Sequence, residues 1–243
     1  MTDGGPFEAA AGYQRIAAAT ACLLDTAGGL DDAAMRADSL LPGWSRGHVL
    51  THVARNADGG RRLLSWARTG VETPEYASMA SRAADIEAGA GRSPAELLAD
   101  VRESAERFAV EYARMPVEAW SREVHWTQGR WTRAVRIADS RLTELRLHCV
   151  DLDAGYLPGQ WPADFTEDLL HRIAAALAVR SGAPAMRLHA TDTGARYAIG
   201  AVAGAPLVEG EQSELLAWLT GRSDGAGLLL SGAAELPVPI GLG

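Results

Sequence analysis

The chain contains 243 residues, of which 47% are apolar, so it can bury a substantial core in one large domain or in a main domain with a smaller companion. Its formal net charge is −8, which argues against nucleic acid as the main partner, because nucleic-acid-binding proteins concentrate positive charge against phosphates. All 23 basic residues are arginine, so a mechanism that uses a Schiff-base or nucleophilic lysine has no residue to carry it.

Targeting signals and disulfides are not indicated by the sequence. No apolar run approaches the roughly 18 residues of a membrane span, and the beginning "MTDGGPFEAA" lacks the basic start and apolar block of a secretion signal. The two cysteines, Cys22 and Cys149, are too few for a disulfide framework. We therefore expect a soluble cytoplasmic protein with no membrane partner.

Four long helices are predicted in the first 155 residues. Apolar residues among alanines predict the first over 7–27, before the glycines of "AGGLDD". Ser45 is a natural N-cap for the second, which ends at Gly70. "SPAE", beginning at Ser93, is a capping box that starts the third, and the fourth runs from about 137 to 154. Four such helices favour a bundle, whose interior commonly holds a metal.

The pattern changes after "GYLPGQWP", which we interpret as a linker. A helix is predicted near 164–180, followed by two alternating runs, "AMRLHATDT" and "ARYAIGAV", that resemble a β-hairpin around Gly194. "EQSELLAWLTGR" then indicates a helix and "GLLLSG" a strand. The predicted fold class is therefore α+β, with a helical bundle over residues 1–155 and a small α/β domain over residues 160–243.

The fourth helix carries a candidate metal site. Glu144 and His148 are four residues apart, so their side chains share one helix face. Imidazole and carboxylate are good zinc ligands, and catalytic zinc commonly has three protein ligands and a water. A third ligand must come from elsewhere, and the second helix offers His48 and His52, of which His52 lies deeper in the helix. Alternatively, Glu144 and His148 form a solvated pair on the helix surface, and His48 caps the helix or contacts a metal ligand without binding the metal itself.

Five segments together resemble the mycothiol-dependent maleylpyruvate isomerase family over nearly the whole chain. They are "LLPGWSRGHVLTHVARNA", "LLSWARTGVETPEY", "EAWSREVHWTQGR", "ELRLHCVDLDAG" and "LAWLTGRSDG". The resemblance implies a DinB-like four-helix bundle that holds a metal between helices, with a C-terminal domain related to sterol carrier proteins.

The resemblance also implies a set of site residues. Carried over position by position, the metal ligands are His52, Glu144 and His148, and Arg222 in "TGR" matches the family's C-terminal active-site arginine. Arg222 would bind a substrate carboxylate through two parallel hydrogen bonds. Its alternative role is to stabilise the end of a helix. Asp151 either orients His148 or is a surface carboxylate.

The implied cofactors are zinc, or another divalent metal, and mycothiol, a small cysteinyl sugar thiol. In the implied reaction the thiol of mycothiol adds to the double bond of maleylpyruvate, the bond rotates, and elimination gives fumarylpyruvate. Cys149 would then face the protein interior and not the metal. Two alternatives remain: a mycothiol S-transferase acting on another electrophile, and a non-enzymatic carrier of an apolar ligand. The sequence leaves the metal identity and the oligomeric state open.

Overall fold

The chain divides between Tyr156 and Leu157 into two units. The computed structural model of the protein describes residues 8–127, 129 and 131–237. The first residue of the predicted first helix, residue 7, and the outermost residues of the two predicted domains, 1–7 and 238–243, lie outside that range. Within the described residues, no helix combines the length and the hydrophobicity needed to cross a membrane.

The first unit is mainly helical. Its helices are α1 (Ala9–Ala27), α2 (Asp32–Arg36), α3 (Arg46–Thr69), α4 (Met79–Ala90), α5 (Pro94–Ala113) and α6 (Val135–Asp151). A short 3₁₀ helix, Val117–Ser121, leads into an antiparallel hairpin of β1 (Glu123–His125) and β2 (Trp131–Arg133). The four predicted helices are confirmed as α1, α3, α5 and α6. The helices α2 and α4 and the hairpin were not predicted.

Helix α3 is the central element of this unit, because it packs against α4, α5 and α6. Its start is fixed by Ser45, whose hydroxyl accepts the His48 backbone N–H while the Ser45 N–H donates to Nδ1 of His48 at 3.1 Å. Its end is fixed by Gly70 in the left-handed region at φ 76°. These caps set the rotation at which α3 presents the side chains of its middle turns.

Helix α4 approaches α3 closely at two glycines. A Cβ atom added to Gly47 of α3 would collide with the carbonyl oxygen of Ala90, and one added to Gly89 of α4 would lie 2.5 Å from the Thr51 methyl group. Any larger residue at either position would therefore push the two helices apart. The glycines bring the N-terminal half of α3, which carries His52, next to α4.

A network of arginines and aspartates joins α3 to α5. Arg55 contacts Asp58 at 3.1 Å on its own helix and Asp100 of α5 at 2.6 Å. Arg107 of α5 contacts Asp58 at 3.0 Å, and Arg92 contacts Asp100 at 2.7 Å. Both aspartate side chains are largely buried, with 14% and 12% of their surface exposed, so these contacts are screened less than pairs on an open surface.

The second unit combines two helices with a four-stranded sheet. Its elements are a 3₁₀ helix (Pro158–Gln160), α7 (Ala163–Ala178), β3 (Met186–Ala190), β4 (Arg196–Ile199), β5 (Leu207–Gly210), α8 (Gln212–Leu219) and β6 (Leu229–Ser231). The strand order is β4-β3-β5-β6, in which only β3 and β5 are parallel. The predicted hairpin around Gly194, both predicted helices and the last strand are confirmed. Strand β5 was not predicted. The chain is thus a mixed helix and sheet protein, as expected.

Candidate metal centre and active-site residues

Three predicted ligands meet between α3 and α6. One nitrogen each from His52 and His148 and one oxygen of Glu144 all lie within 4.8 Å of one another. The two imidazole rings are perpendicular, with centroids 4.6 Å apart. Oε2 of Glu144 lies 2.7 Å from Nε2 of His52 and 3.1 Å from Nε2 of His148. The same nitrogen of each histidine therefore faces the same carboxylate oxygen.

Burial and access are divided among the three side chains in a way that suits a metal. The side chains of His52 and His148 are 6% and 11% exposed, whereas the Glu144 side chain is 29% exposed. Two imidazoles and a carboxylate are ligands that zinc and other first-row divalent ions accept. The donor set therefore fits such an ion, with solvent access on the Glu144 side.

Asp151 orients His148. Its Oδ2 lies 2.8 Å from Nδ1 of His148, and the aspartate is only 1% exposed. The expectation of a surface carboxylate is thus wrong for Asp151, and its alternative role holds. A carboxylate on Nδ1 fixes the ring so that Nε2 faces a metal, which is the usual arrangement around metal-binding histidines.

We expect Asp151→Asn to weaken metal binding by about 10- to 100-fold, because the charged acceptor that orients His148 and increases its basicity is lost. Competition between the protein and a chromophoric chelator measures the metal dissociation constant. Asp153→Asn is the matched control, since Asp153 lies two residues further on and its exposed carboxylate pairs with Arg46 at 3.3 Å. Equal affinity of Asp151→Asn and Asp153→Asn would contradict the orienting role.

The two histidines differ in pKa because their partners differ. Burial lowers the pKa of His52 to about 4, only partly opposed by its hydrogen bond to Glu144. Burial acts in the same direction on His148, but its hydrogen bonds to Asp151 and Glu144 outweigh that effect and raise its pKa to about 9. Burial would raise the pKa of Glu144, yet hydrogen bonds from His148 and His52 hold it well below its ordinary range. With these neighbours alone, His52 is neutral and Glu144 is ionised near pH 7.

His48 caps α3 and does not join the three ligands. Its Nδ1 faces Ser45, and its Nε2 lies 3.1 Å from a carboxylate oxygen of Glu87. The capping alternative for His48 is therefore confirmed. The Trp44 ring packs against both histidines of this region, with its centroid 6.2 Å from that of His48 and 5.5 Å from that of His52.

The sequence did not predict a role for two arginines that lie near the ligands, Arg82 and Arg141. Nη2 of Arg82, on α4, lies 2.9 Å from Nδ1 of His52. Arg141, one turn before Glu144 on α6, is buried and donates from Nη1 to the Val53 carbonyl at 2.8 Å and to Oδ1 of Asn56 at 2.9 Å. Arg141 thus ties α6 to the turn of α3 that follows His52. Neither residue has a local sequence signature, since both roles depend on how helices pack.

Arg222 lies in the second unit, directly after α8. The backbone N–H of Arg222 donates to the Ala217 carbonyl at 2.7 Å, that of Gly221 donates to Trp218 at 3.1 Å, and Gly221 has φ 75°. These bonds form a Schellman motif, which explains the glycine and fixes the backbone of the arginine. Nη1 of Arg222 also donates to the Thr220 carbonyl at 2.6 Å. The guanidinium therefore contacts the end of its own helix, which is compatible with the helix-stabilising alternative and leaves the active-site role of Arg222 a prediction.

The two cysteines are free thiols in the interior between α1 and α6. Their sulfur atoms are 3.9 Å apart, and Sγ of Cys149 also lies 3.3 Å from the Thr26 hydroxyl. Burial raises the pKa of Cys149 to about 12. Because a thiolate is the reactive form of cysteine, Cys149 is a poor nucleophile at neutral pH.

Two family models match the chain. The family model described as "Mycothiol maleylpyruvate isomerase N-terminal domain" matches residues 16–153, more than half of the chain. The chain belongs to this family. A second family model, "MDMPI C-terminal domain", matches residues 160–239. The resemblance seen in the sequence is thus confirmed, together with the class of enzyme it implied, an isomerase.

The comparison with solved structures covers nearly the whole chain. The chain is similar to a crystal structure of a mycothiol-dependent maleylpyruvate isomerase, with a TM-score of 0.90, 28% sequence identity and 99% coverage of each chain. The same values hold for a crystal structure of a mutant of that enzyme in which one histidine is replaced by alanine. No curated protein matches the chain.

Proposed function

We propose that the protein converts maleylpyruvate to fumarylpyruvate in a mycothiol-dependent reaction, at a metal centre formed by His52, Glu144 and His148. The observation that carries the proposal is the convergence of these three side chains in a chain that belongs to the isomerase family. Similarity over 99% of both chains to a mycothiol-dependent maleylpyruvate isomerase supports the choice of substrate and thiol.

His52, Glu144 and His148 would hold the ion, and Asp151 would keep His148 in a ligating orientation. A divalent metal bound here would supply Lewis acidity, either lowering the pKa of a thiol or stabilising negative charge on a carbonyl oxygen. Zinc is the ion that the ligand types favour. Glu144 is the most exposed ligand, so we place the approach of small molecules on its side of the centre.

Isomerisation of a cis alkene requires loss of its π character before the bond can rotate. Mycothiol would supply the thiol that adds to the alkene and is eliminated after rotation. Two of the chain's own candidates are unsuited to this role, because lysine is absent from the sequence and Cys149 is buried with a raised pKa. Its own contribution to a substrate with two carboxylates is fixed positive charge, for which Arg222 is the candidate by its match to the family pattern.

The test is ultraviolet monitoring of maleylpyruvate with the metal-loaded protein, with and without mycothiol, followed by identification of the product. We expect turnover only when mycothiol is present, with fumarylpyruvate as the product and the thiol recovered unchanged. A stable thiol adduct would instead indicate an S-transferase. Tight binding of an apolar ligand, with no turnover and no need for metal, would indicate a carrier.

The double variant Cys22→Ser, Cys149→Ser completes this test. Its mycothiol-dependent turnover should remain close to wild type, since the nucleophile is external. Thr26, which hydrogen-bonds to Cys149, can make a similar contact to a serine hydroxyl. If the double variant kept its fold and metal but lost turnover, a protein thiol would be the nucleophile and the proposal would be wrong.

A further inference from the structure

The two histidine ligands differ in what faces their Nδ1 atoms. His148 has the carboxylate of Asp151, an acceptor, whereas His52 has Nη2 of Arg82 at 2.9 Å. An arginine side chain has only donors. Nδ1 of His52 therefore accepts this hydrogen bond, and the ring proton lies on Nε2, where it is donated to Glu144 at 2.7 Å.

This arrangement is incompatible with ligation of a metal by His52. A neutral histidine that ligates through Nε2 carries its proton on Nδ1, which then needs an acceptor such as a carboxylate, a carbonyl or water. Arg82 can offer none of these, because its nitrogens are all donors. A protonated Nδ1 of His52 and Nη2 of Arg82 would then be two donors facing each other with no acceptor between them. The positive guanidinium would also repel the ion. The contact between Arg82 and His52 must therefore break when the ion binds.

Arg82 keeps two neighbours once this contact is broken. The ring centroid of Tyr76 lies 5.8 Å from Cζ of Arg82, a cation–π distance, and the Tyr76 side chain also hydrogen-bonds to Arg82. Glu75 interacts with Arg82 electrostatically, but no carboxylate oxygen of the described residues lies within ion-pair distance of its guanidinium. Arg82 is therefore a planar cation beside the metal centre without an ion-pair partner among the described residues, and it is available for an anion.

We propose that Arg82 is the carboxylate-binding residue of the metal centre, and that it exchanges its hydrogen bond to His52 for one to the substrate when His52 ligates an ion. The inference rests on the proposed function for the identity of the substrate, a small dicarboxylate. A guanidinium meets a carboxylate through two parallel hydrogen bonds, which gives orientation as well as charge. Metal loading and substrate recognition are thereby linked through one side chain.

The first experiment measures metal binding alone, on the full chain, by titrating the metal-free protein with Zn²⁺ in competition with a chelator. We expect Arg82→Gln to bind Zn²⁺ about tenfold more tightly than wild type, the magnitude that outer partners of ligating histidines usually exert. Arg82→Lys retains the charge and should fall between the two. Arg107→Gln is the control, because Arg107 pairs with Asp58 away from the ligands. Unchanged or weaker binding in Arg82→Gln would overturn the proposal.

The second experiment measures binding of maleate, a stable cis-dicarboxylate, to the zinc-loaded protein by calorimetry. Arg82→Gln should weaken maleate binding by at least about tenfold, and Arg82→Lys should also weaken it, whereas Arg107→Gln should not. Equal maleate affinity in wild type and both Arg82 variants would refute the carboxylate role. Neither experiment uses maleylpyruvate or mycothiol, so a failure of the proposed reaction would be seen separately.

Discussion

His52→Ala is expected to remove most of the metal from the purified protein and to abolish turnover. Wild type should contain about one divalent ion per chain, because three ligands from two helices converge at one point. Loss of a direct ligand should weaken binding by more than the roughly 10- to 100-fold caused by loss of an outer partner. Elemental analysis of both proteins after identical dialysis gives the result.

His48→Ala is the matched control for this experiment. His48 lies four residues earlier on the same helix, with its nitrogens directed at Ser45 and Glu87. It should keep its metal, and Ser45 remains as the N-cap because it accepts the backbone N–H of residue 48, which the substitution retains. Equal metal content in wild type and His52→Ala would remove His52 from the site.

Arg222→Lys should reduce kcat/KM by about a hundredfold or more if the guanidinium orients a substrate carboxylate, since misplacement of a clamped substrate has effects of that size. Lysine keeps the charge but loses the planar pair of donors. Metal content and thermal stability should stay near wild type, because a lysine at the end of α8 preserves most of the ~0.3 to 1 kcal/mol that such a charge contributes.

The structure sharpens this test, because the Arg222 side chain already donates to Thr220 at the end of α8. A purely helix-stabilising arginine would give nearly normal catalysis in Arg222→Lys, and that outcome would remove Arg222 from the active site. Arg187→Lys is a suitable control in the same unit, since Nε of Arg187 donates to the Ala205 carbonyl at 3.2 Å.

The sequence predicted those elements whose ends and faces are encoded locally. Ser45, Gly70 and the capping box at Ser93 define the limits of α3 and α5, and Gly194 at φ 75° marks the turn between β3 and β4. The pair Glu144 and His148 is likewise local, because four-residue spacing on one helix places both on the same face. These features depend on backbone hydrogen bonds within a few residues.

The missed elements depend on contacts between distant segments. Helix α4, "MASRAADIEAGA", has a single large apolar residue that is fully packed, Ile86, so it has little hydrophobic periodicity to detect. Strand β5 is four residues long and is stabilised by pairing with β3 in parallel, about 20 residues away in sequence. Because α4 was not predicted, Arg82 could not be placed beside His52, and the link between that arginine and the metal centre required the packing of α3 against α4.

The arginine–aspartate network between α3 and α5 has a consequence for chemical modification. With no lysine in the sequence, every cation in this network is a guanidinium. Lysine acetylation and labels directed at side-chain amines therefore have no side chain to act on, and they leave the pairs of Arg55, Arg92 and Arg107 intact. Reagents selective for guanidinium groups, in contrast, would attack the helix packing and the candidate anion-binding arginines at the same time.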